Sequence, residues 1–330
     1  MVLVLGGAGY IGSHAVRALI KEGKSVVVVD SLETGHREAV PSDVPFHVLD
    51  IRDTVALEGV FKQYEIEAVM HFCANSLVGE SVKDPLKYFD NNVGGAISLL
   101  KVMKAHHVDK IIFSSTAAVY GDVLESPITE NIVLAPTSPY GESKRMMEQL
   151  FKWADEAYGI KYVSLRYFNV AGAASDGTLG EAHKVETHLI PLVLQVPLGQ
   201  RPHITLFGED YPTPDGTCIR DYIHVEDLVE AHILALAYLF GGNQSDIFNL
   251  GIGQGFSVKE VVACAAEVTG GEIPVVMGAR RAGDPTRLVA SAEKAQKALN
   301  WVPKRTKLKA IVEDAWRFHS NHPNGYKEEK

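Results

Sequence analysis

The first 23 residues of the chain constrain its fold more than any other stretch. An apolar run over residues 1–5 is typical of a strand buried on both faces of a parallel sheet. A glycine-rich turn follows, with Gly6, Gly7, Gly9 and Gly12. A helical pattern then covers 13–22 and ends at Gly23. Because such a turn lets a pyrophosphate approach bare backbone at a helix N-terminus, the segment predicts a dinucleotide-binding βαβ unit.

The acidic residue that follows the second strand indicates which dinucleotide is bound. Residues 25–29 form a second apolar run that ends in Asp30, roughly the spacing at which a carboxylate takes the ribose hydroxyls of NAD. No arginine follows Asp30 directly, so the 2′-phosphate of NADP would meet a carboxylate. Asp50 and Ile51 follow a third strand-like run over 46–49, where we expect them to face the adenine. The pattern therefore favours NAD.

Strand and helix patterns alternate through the first half of the chain and then change. Further strands are predicted over 69–73, 110–115 and 161–166, and helices over 53–64 and 86–107. This alternation predicts an α/β fold with a doubly wound parallel sheet, the Rossmann arrangement. After Gly172 come long loops, with helices predicted over 225–240, 257–269 and 290–299. We predict a Rossmann domain over 1–172 and a smaller α/β substrate domain over 173–330, with a segment near 222–252 returning to the first.

Composition excludes several classes of partner. The chain has 330 residues, of which 46% are hydrophobic, so it can bury a large core. Its net charge of −9 argues against nucleic acid and against an anionic membrane surface. Its three cysteines have no paired spacing, which predicts free thiols and a cytoplasmic location. No run has transmembrane length, and no His-Glu-x-x-His arrangement occurs, so we expect no membrane partner and no metal.

Tyr140 and Lys144 predict a proton-transfer site. They lie four residues apart, on one face of a helix that would begin after Ser138 and Pro139. A free tyrosine has a pKa near 10. A neighbouring ammonium and a bound nicotinamide cation would favour the phenolate and bring that pKa toward neutral pH. Thr116, at the end of the strand predicted over 110–115, could hold an alcohol beside them. Together these residues predict hydride transfer between a nicotinamide and a secondary alcohol.

These features and later motifs resemble a known family. Glycines near the N-terminus, a Ser or Thr, and Tyr-x-x-x-Lys form the signature of the extended short-chain dehydrogenase/reductase superfamily. The resemblance narrows to the UDP-glucose 4-epimerase family through Gly6-Gly-Ala-Gly-Tyr-Ile-Gly-Ser-His14, Val78-Gly-Glu-Ser81, Asp90-Asn-Asn-Val93, Val119-Tyr-Gly121, Leu165-Arg-Tyr-Phe-Asn169 and Asp215-Gly-Thr-Cys-Ile-Arg-Asp-Tyr-Ile-His-Val225. The similarity extends over nearly the whole chain.

The resemblance implies roles for individual residues. Tyr140 would take the proton of the sugar 4-hydroxyl, Thr116 would hydrogen-bond that hydroxyl, and Lys144 would hold the nicotinamide ribose. The 4-keto sugar would then turn and be reduced on its other face, with NAD restored. The implied cofactor-binding residues are Gly6, Gly9, Tyr10, Ile11, Gly12, Asp30, Asp50, Ile51, Phe72, Cys73, Ala74, Asn91, Tyr140, Lys144 and Phe168. The implied residues for the UDP-sugar substrate are Thr116, Tyr140, Asn169, His188, Phe207, Arg220, Arg281, Asp284 and Leu288.

The resemblance also bears on specificity and assembly. The position of Leu288 is a tyrosine in epimerases restricted to glucose and galactose. A smaller residue leaves room for an N-acetyl group, so we hypothesise activity on UDP-N-acetylglucosamine as well. The family is usually dimeric through two helices, here those predicted over 86–107 and 140–158. A homodimer is the resulting expectation.

Three alternatives share the fold. A nucleotide-sugar 4,6-dehydratase needs a further acid and base after the threonine, but this chain has Ala117 and Ala118, which cannot move protons. A simple reductase would need exchangeable NAD(P)H. A non-enzymatic NAD sensor typically lacks the tyrosine or the lysine, and both Tyr140 and Lys144 are present.

Overall fold

The computed structural model describes residues 1–123, 125–281 and 284–326, and these residues form a mixed α/β structure. Its strands are Val2–Leu5 (β1), Val26–Asp30 (β2), Phe46–Val48 (β3), Ala68–His71 (β4), Lys110–Ser114 (β5), Lys161–Tyr167 (β6), Asn169–Ala171 (β7), Ile204–Phe207 (β8), Ile219–His224 (β9), Asp246–Leu250 (β10), Gly255–Ser257 (β11), Val275–Gly278 (β12) and Arg287–Leu288 (β13).

The helices alternate with these strands in the first half and predominate later. They are Tyr10–Lys21 (α1), Thr54–Gln63 (α2), Val78–Lys83 (α3), Pro85–Tyr88 (α4), Gly95–Ala105 (α5), Pro139–Tyr158 (α6), Leu189–Leu194 (α7), Val225–Phe240 (α8), Val258–Thr269 (α9), Glu293–Leu299 (α10) and Leu308–Asn321 (α11). Short 3₁₀ segments cover Arg37–Ala39 and Ala117–Val119, and a π-helical segment, Phe89–Gly94, joins α4 to α5.

Seven parallel strands form the large sheet, in the order β10-β6-β5-β4-β1-β2-β3. Its strands are apolar on both faces, as the buried run of β1 illustrates. Helices α1 and α8 pack on one face, and α2, α5 and α6 pack on the other. The prediction of a doubly wound parallel sheet is confirmed. This arrangement brings the carboxyl ends of all seven strands to one edge, where α/β proteins bind ligands.

The C-terminal half builds a second cluster of elements beside that edge. Strand β9 pairs with β7, β11 and β13, and β12 pairs with β8. Helices α7, α9 and α11 enclose a separate apolar core. Strand β10 and helix α8, in contrast, pack into the large sheet. This placement supports our proposal that a segment near 222–252 returns to the Rossmann domain. Among the described residues, none of the helices combines the length and the apolar character that crossing a bilayer requires.

Several predicted boundaries were wrong. Helix α1 begins at Tyr10 rather than Ser13, because Gly12 lies inside the helix, directly against the Gly6 carbonyl. The helix predicted over 86–107 covers 85–105 and contains the π-helical segment. The helix predicted from position 290 begins at Glu293. Helices α7 and α11 and the strands of the C-terminal half were not predicted.

Candidate active site

Two adjoining cavities lie at the carboxyl edge of the large sheet. The larger has a volume of about 490 Å³ and lies beyond the ends of β1, β4, β5 and β6. The smaller, of about 110 Å³, lies beyond β2 and β3. Both are lined by Gly6, Gly9, Phe72 and Ala74, so they form one continuous site. A dinucleotide could therefore extend from one cavity into the other.

The glycine loop between β1 and α1 forms the floor of this site. Gly6 has a φ of +76°, which favours glycine. A Cβ on Gly12 would lie 2.0 Å from the Gly6 carbonyl oxygen, so the helix can approach the strand this closely only without a side chain. Gly9 caps α1 without a side-chain hydrogen bond, and the first intrahelical bond runs from Ser13 N–H to Gly9 O.

The N-terminus of α1 is therefore available to an anion. The amides of Tyr10, Ile11 and Gly12 precede the first intrahelical bond and so have no acceptor within the helix. All three residues line the larger cavity. Since helix N-termini bind phosphates through such amides and through the helix dipole, the loop fits the pyrophosphate of a dinucleotide.

The smaller cavity has the polar groups expected for the adenosine half. Asp30 is almost fully buried, and its carboxylate accepts hydrogen bonds from the Ala8 and Leu32 amides at 2.9 Å each. Burial raises its pKa, and those two hydrogen bonds act in the opposite direction. The remaining wall contains Asp50, Ile51, Cys73, Ala74 and Asn91. These are the residues that the resemblance assigns to NAD on this side, together with Asp30.

Tyr140 lies at the second position of α6 and faces the larger cavity. Pro139 opens this helix, and the Ser138 hydroxyl caps it by accepting from the Gly141 amide at 3.1 Å. Burial raises the pKa of Tyr140, and a hydrogen bond with the Thr116 side chain lowers it in part. The Tyr140 phenol and the Thr116 hydroxyl, which were predicted to act together, both line this cavity.

A close approach between backbones brings Thr116 and Tyr140 together. Thr116 follows β5, and its side chain caps the short 3₁₀ segment by accepting from the Ala118 amide at 3.1 Å. A Cβ on Gly141 would lie 2.4 Å from the Ala118 carbonyl oxygen. Glycine at this position therefore lets the start of α6 pack directly against the 3₁₀ segment, which sets the distance between the two hydroxyls.

Lys144 is buried one turn after Tyr140. Its Nζ donates to the Ser114 carbonyl oxygen at 2.8 Å, and its side chain is 3% exposed. Burial lowers its pKa from 10.5 to about 8, while the nearby charges of Cys73 and Glu148 raise it. The ammonium is therefore held at the cavity by the end of β5.

The opposite wall of the larger cavity comes from the C-terminal half. Arg220 pairs with Asp284, and its guanidinium also donates to the Ile219 carbonyl at 2.8 Å. The other predicted substrate residues that line the cavity are Asn169, His188 and Leu288, and Phe168 also lines it. The cavity therefore has a guanidinium at one wall and the Tyr140 phenol at the other.

Two residues predicted to bind substrate do not line either cavity. Phe207 and Arg281 are exposed, and the Arg281 guanidinium lies 4.0 Å from the centroid of the Phe207 ring. Phe207 is the last residue of β8. The assignment of both residues to the UDP group stays a prediction.

The structure adds residues that sequence reasoning missed. Glu181 and His183 line the larger cavity beside His188. Burial lowers the pKa of His188, but the charges and hydrogen bonds of Glu181 and Glu186 outweigh burial and raise it to about 10. The only sequence signal was the pattern Glu-x-His-x-x-Glu-x-His over 181–188, within the long loops predicted after Gly172.

A buried polar network supports the site from behind. Glu148, one turn after Lys144 on α6, forms an ion pair with Arg166 and accepts from the Ser115 hydroxyl at 2.6 Å. Arg166 also donates to the Tyr120 hydroxyl at 3.0 Å. Because Ser115 directly precedes Thr116, this network fixes the backbone that carries the threonine.

Comparisons with known proteins agree with this geometry. A model of the NAD dependent epimerase/dehydratase family matches residues 2–251. The UDP-glucose 4-epimerase of Lacticaseibacillus casei is 55% identical over 325 residues, which cover 98% of this chain and 98% of the relative. A crystal structure of a UDP-glucose 4-epimerase has a TM-score of 0.98 at 56% identity and covers 99% of both chains.

A third comparison concerns the ligands. The UDP-glucose 4-epimerase of Bifidobacterium longum, solved in complex with NAD⁺ and UDP, has a TM-score of 0.93 at 38% identity and covers 98% of this chain and 99% of its own. The predicted resemblance and the predicted cofactor, NAD, are confirmed. The chain belongs to the NAD dependent epimerase/dehydratase family, and relatives that are about half identical to it over nearly its whole length are UDP-glucose 4-epimerases.

Proposed function

We propose that this protein interconverts UDP-galactose and UDP-glucose as an NAD-dependent isomerase. The observation that carries the proposal is that Thr116, Tyr140 and Lys144 line one cavity, which also contains an open helix N-terminus and Arg220. When bound, NAD supplies a carbon that accepts a hydride from the sugar and returns it.

The residues of the chain supply the proton transfer. Tyr140 takes the proton of the sugar 4-hydroxyl and returns it after the sugar has turned, so it acts first as base and then as acid. Thr116 can donate and accept, and it therefore holds both the hydroxyl and the phenol in line. The ammonium of Lys144 favours the phenolate electrostatically and is fixed by the Ser114 carbonyl.

Anchoring at the phosphates permits the sugar to turn. We assign the diphosphate to Arg220, with Asn169, His188 and Asp284 in the same wall. A sugar held mainly through its phosphate linkage can present either face to Tyr140. Beside Thr116 the wall is formed by Ala117 and Ala118, neither of which carries a proton-transfer group, so this wall supports epimerisation over dehydration.

The first experiment is to incubate purified protein with UDP-galactose, without added nucleotide, and to assay UDP-glucose. Product without added NAD supports epimerisation with a retained cofactor. Product that requires NAD keeps the reaction but makes the cofactor exchangeable, whereas release of an oxidised sugar would indicate a reductase. If neither condition gives product, the proposed substrate is wrong.

Leu288 supports a second substrate. It lines the larger cavity and packs beside Phe168 against the buried cluster of Val119, Tyr120 and Ile128. A leucine here occupies less of the cavity than a tyrosine would. We therefore propose that UDP-N-acetylglucosamine is also converted. Failure to convert it under conditions where UDP-galactose turns over would contradict this.

We further propose that the protein is a cytoplasmic homodimer. The helices predicted to pair carry exposed apolar side chains, with Leu86 on α4 76% exposed and Trp153 on α6 61% exposed. Ile97 on α5 and Met146 on α6 are exposed as well, and we propose that the four side chains form one surface. Contiguous apolar patches on a folded surface mark interaction sites. The three cysteines are free, as expected in a reducing compartment.

Sedimentation of a Trp153→Glu variant tests the dimer. A charge in the centre of a buried interface should convert the protein to a monomer. Val302→Glu is the matched control, since Val302 is 64% exposed but lies outside this surface. A monomeric wild type, or an unchanged dimer in the Trp153 variant, would contradict the proposed interface.

A further inference from the structure

Four potential metal ligands converge in the loop between β7 and α7. They are Glu181, His183, Glu186 and His188, and one ligand atom from each lies within 4.8 Å of all the others. The four come from only eight consecutive residues. Glu181, His183 and His188 also line the larger cavity, so the cluster forms part of its wall.

We propose that this cluster binds one divalent transition-metal ion of the zinc class. Two imidazole nitrogens and two carboxylate oxygens are a ligand set that zinc accepts, at bond lengths of about 2.0–2.2 Å, which place tetrahedral ligand atoms about 3.3 Å apart. The His183 Nδ1 lies 3.3 Å from Glu181 and 3.4 Å from Glu186. The His188 Nδ1 lies 3.3 Å from Glu186 and, closer, 2.6 Å from Glu181.

The charges of the cluster also fit a divalent cation. The side chains of Glu181 and Glu186 are only 4% and 7% exposed. In the part of the chain that the structure describes, the ion pairs of these two carboxylates within 4.0 Å all come from His183 and His188. Without a metal, the two buried carboxylates are compensated by protonated His183 and His188, which pair with them. A divalent ion bound by two neutral imidazoles replaces those two protons, so the cluster stays electrically neutral.

Hydrogen bonds outside the cluster hold the ligands in place. Glu186 Oε1 accepts from the backbone amides of Thr187 and His188, at 2.7 and 2.8 Å, which orients the carboxylate. At the other end of the loop, the Gly180 amide donates to the Tyr326 hydroxyl at 3.0 Å. Metal sites depend on such outer contacts to orient their ligands.

The ligand count assigns the ion a structural role. Four protein ligands close a tetrahedral site and leave no position for water or substrate, unlike a catalytic zinc site. The ion would join the loop to the first residue before α7 and so fix the cavity wall that carries His188. This inference is independent of the proposed reaction, because its test measures metal rather than turnover.

The test is the metal content of the purified full-length chain, measured by mass spectrometry after equilibration with zinc and removal of free ion. We expect about one zinc per chain in the wild type, and a fall of about tenfold or more in a Glu186→Gln, His183→Asn double variant. Cobalt in place of zinc should give the visible absorption bands of a tetrahedral site. Chelation should lower the melting temperature, and zinc should restore it.

The matched control is the Glu58→Gln, His106→Asn double variant. It removes another carboxylate and imidazole, 3.8 Å apart, whose carboxylate pairs with Lys62 rather than with a second histidine among the described residues. This variant should keep its zinc. Two results would overturn the proposal: a wild type that retains no zinc or cobalt, or equal zinc in the Glu186, His183 variant. If that variant fails to fold, the cobalt spectrum of the wild type decides, since an octahedral spectrum excludes the four-ligand site.

Discussion

Tyr140 is the residue on which the proposed chemistry depends most. Replacing it with phenylalanine removes one hydroxyl and leaves the apolar ring, so the fold should persist. We expect turnover of UDP-galactose to fall by about 10²- to 10⁴-fold, because the acid–base group is lost. Tyr158→Phe is the control, since Tyr158 lies at the exposed end of the same helix. Equal activity in the two variants would remove Tyr140 from the mechanism.

Leu288 gives a second prediction at this scale. A Leu288→Tyr variant should lose turnover of UDP-N-acetylglucosamine while keeping that of UDP-galactose, because the larger ring fills the space beside the sugar. We expect the ratio of the two rates to fall roughly 10-fold or more. Both substrates are assayed in the same preparation, so the UDP-galactose rate reports any general damage. An unchanged ratio would mean that the residue at position 288 does not determine whether a sugar with an N-acetyl group is accepted.

At the scale of the elements, α1 and α2 each contain a glycine, and we expect replacement by alanine to destabilise the protein at one and to stabilise it at the other. In α1, a Cβ on Gly12 would lie 2.0 Å from the Gly6 carbonyl oxygen, so Gly12→Ala must displace the loop. In α2, Gly59 is exposed and has no heavy atom within 4 Å of its position for a Cβ. We expect Gly12→Ala to lose bound NAD and to lower the melting temperature. Gly59→Ala should keep NAD and stabilise the protein by about 0.5–1 kcal/mol.

Cofactor absorbance and thermal unfolding measure both variants. The informative result is whether the melting temperature rises or falls in each variant, since the same methyl group is added in both. Retained NAD in the Gly12 variant would show that the loop can move without losing the pyrophosphate site.

Sequence patterns predicted elements where local signals sufficed. Ser138 and Pro139 mark the start of α6, and the structure has the hydroxyl of Ser138 capping that helix. The π-helical segment between α4 and α5 was not predictable, because its cause is tertiary. The side-chain oxygen of Asn92, in this segment, accepts from the Asn75 backbone amide. Its Nδ2 donates to the Asn75 carbonyl and, at 2.9 Å, to the Ser143 hydroxyl. Strand β9 was missed for the same reason, since its partners are distant in sequence.

The site residues show the same contrast between features that the sequence predicts and features that depend on tertiary contacts. Thr116 was predictable because residues at the carboxyl ends of parallel strands meet at one edge. Glu181 and His183 reach the cavity only because the loop is held by distant contacts, such as that of Gly180 with Tyr326. The alternating pattern of glutamate and histidine over 181–188 was visible, but its convergence was not.

For the whole molecule, buried neutral histidines predict sensitivity to acid. Burial lowers the pKa of His14 and of His232 to about 4, and that of His71 to about 3. In the unfolded chain these groups titrate near 6.5. Between about pH 6.5 and pH 4 these three groups bind more protons in the unfolded state, so they lower the free energy of unfolding as pH falls through this window. Asp221, whose pKa burial raises to about 6, acts in the opposite direction below that pH.

The melting temperature measured from about pH 7 to about pH 5 tests this dependence. A His71→Leu variant should show a smaller decrease across that range, because one buried titrating group is gone. His107→Asn, at an exposed position with a φ of +56° that asparagine tolerates, should leave the slope unchanged. An equal slope in all three proteins would contradict the assignment to His71.

Strand β10 has a consequence for how the protein is made. It completes the edge of the large sheet beside β6, yet it lies about 80 residues beyond that strand, as the pairing of Asp246 with Val163 shows. When the first half of the chain has emerged from the ribosome, α8 and this edge strand have still to be synthesised. Until then, the apolar face of α1 and the open side of β6 are exposed to chaperones and to other nascent chains. Premature termination before residue 250 should therefore yield aggregates rather than a free cofactor-binding domain.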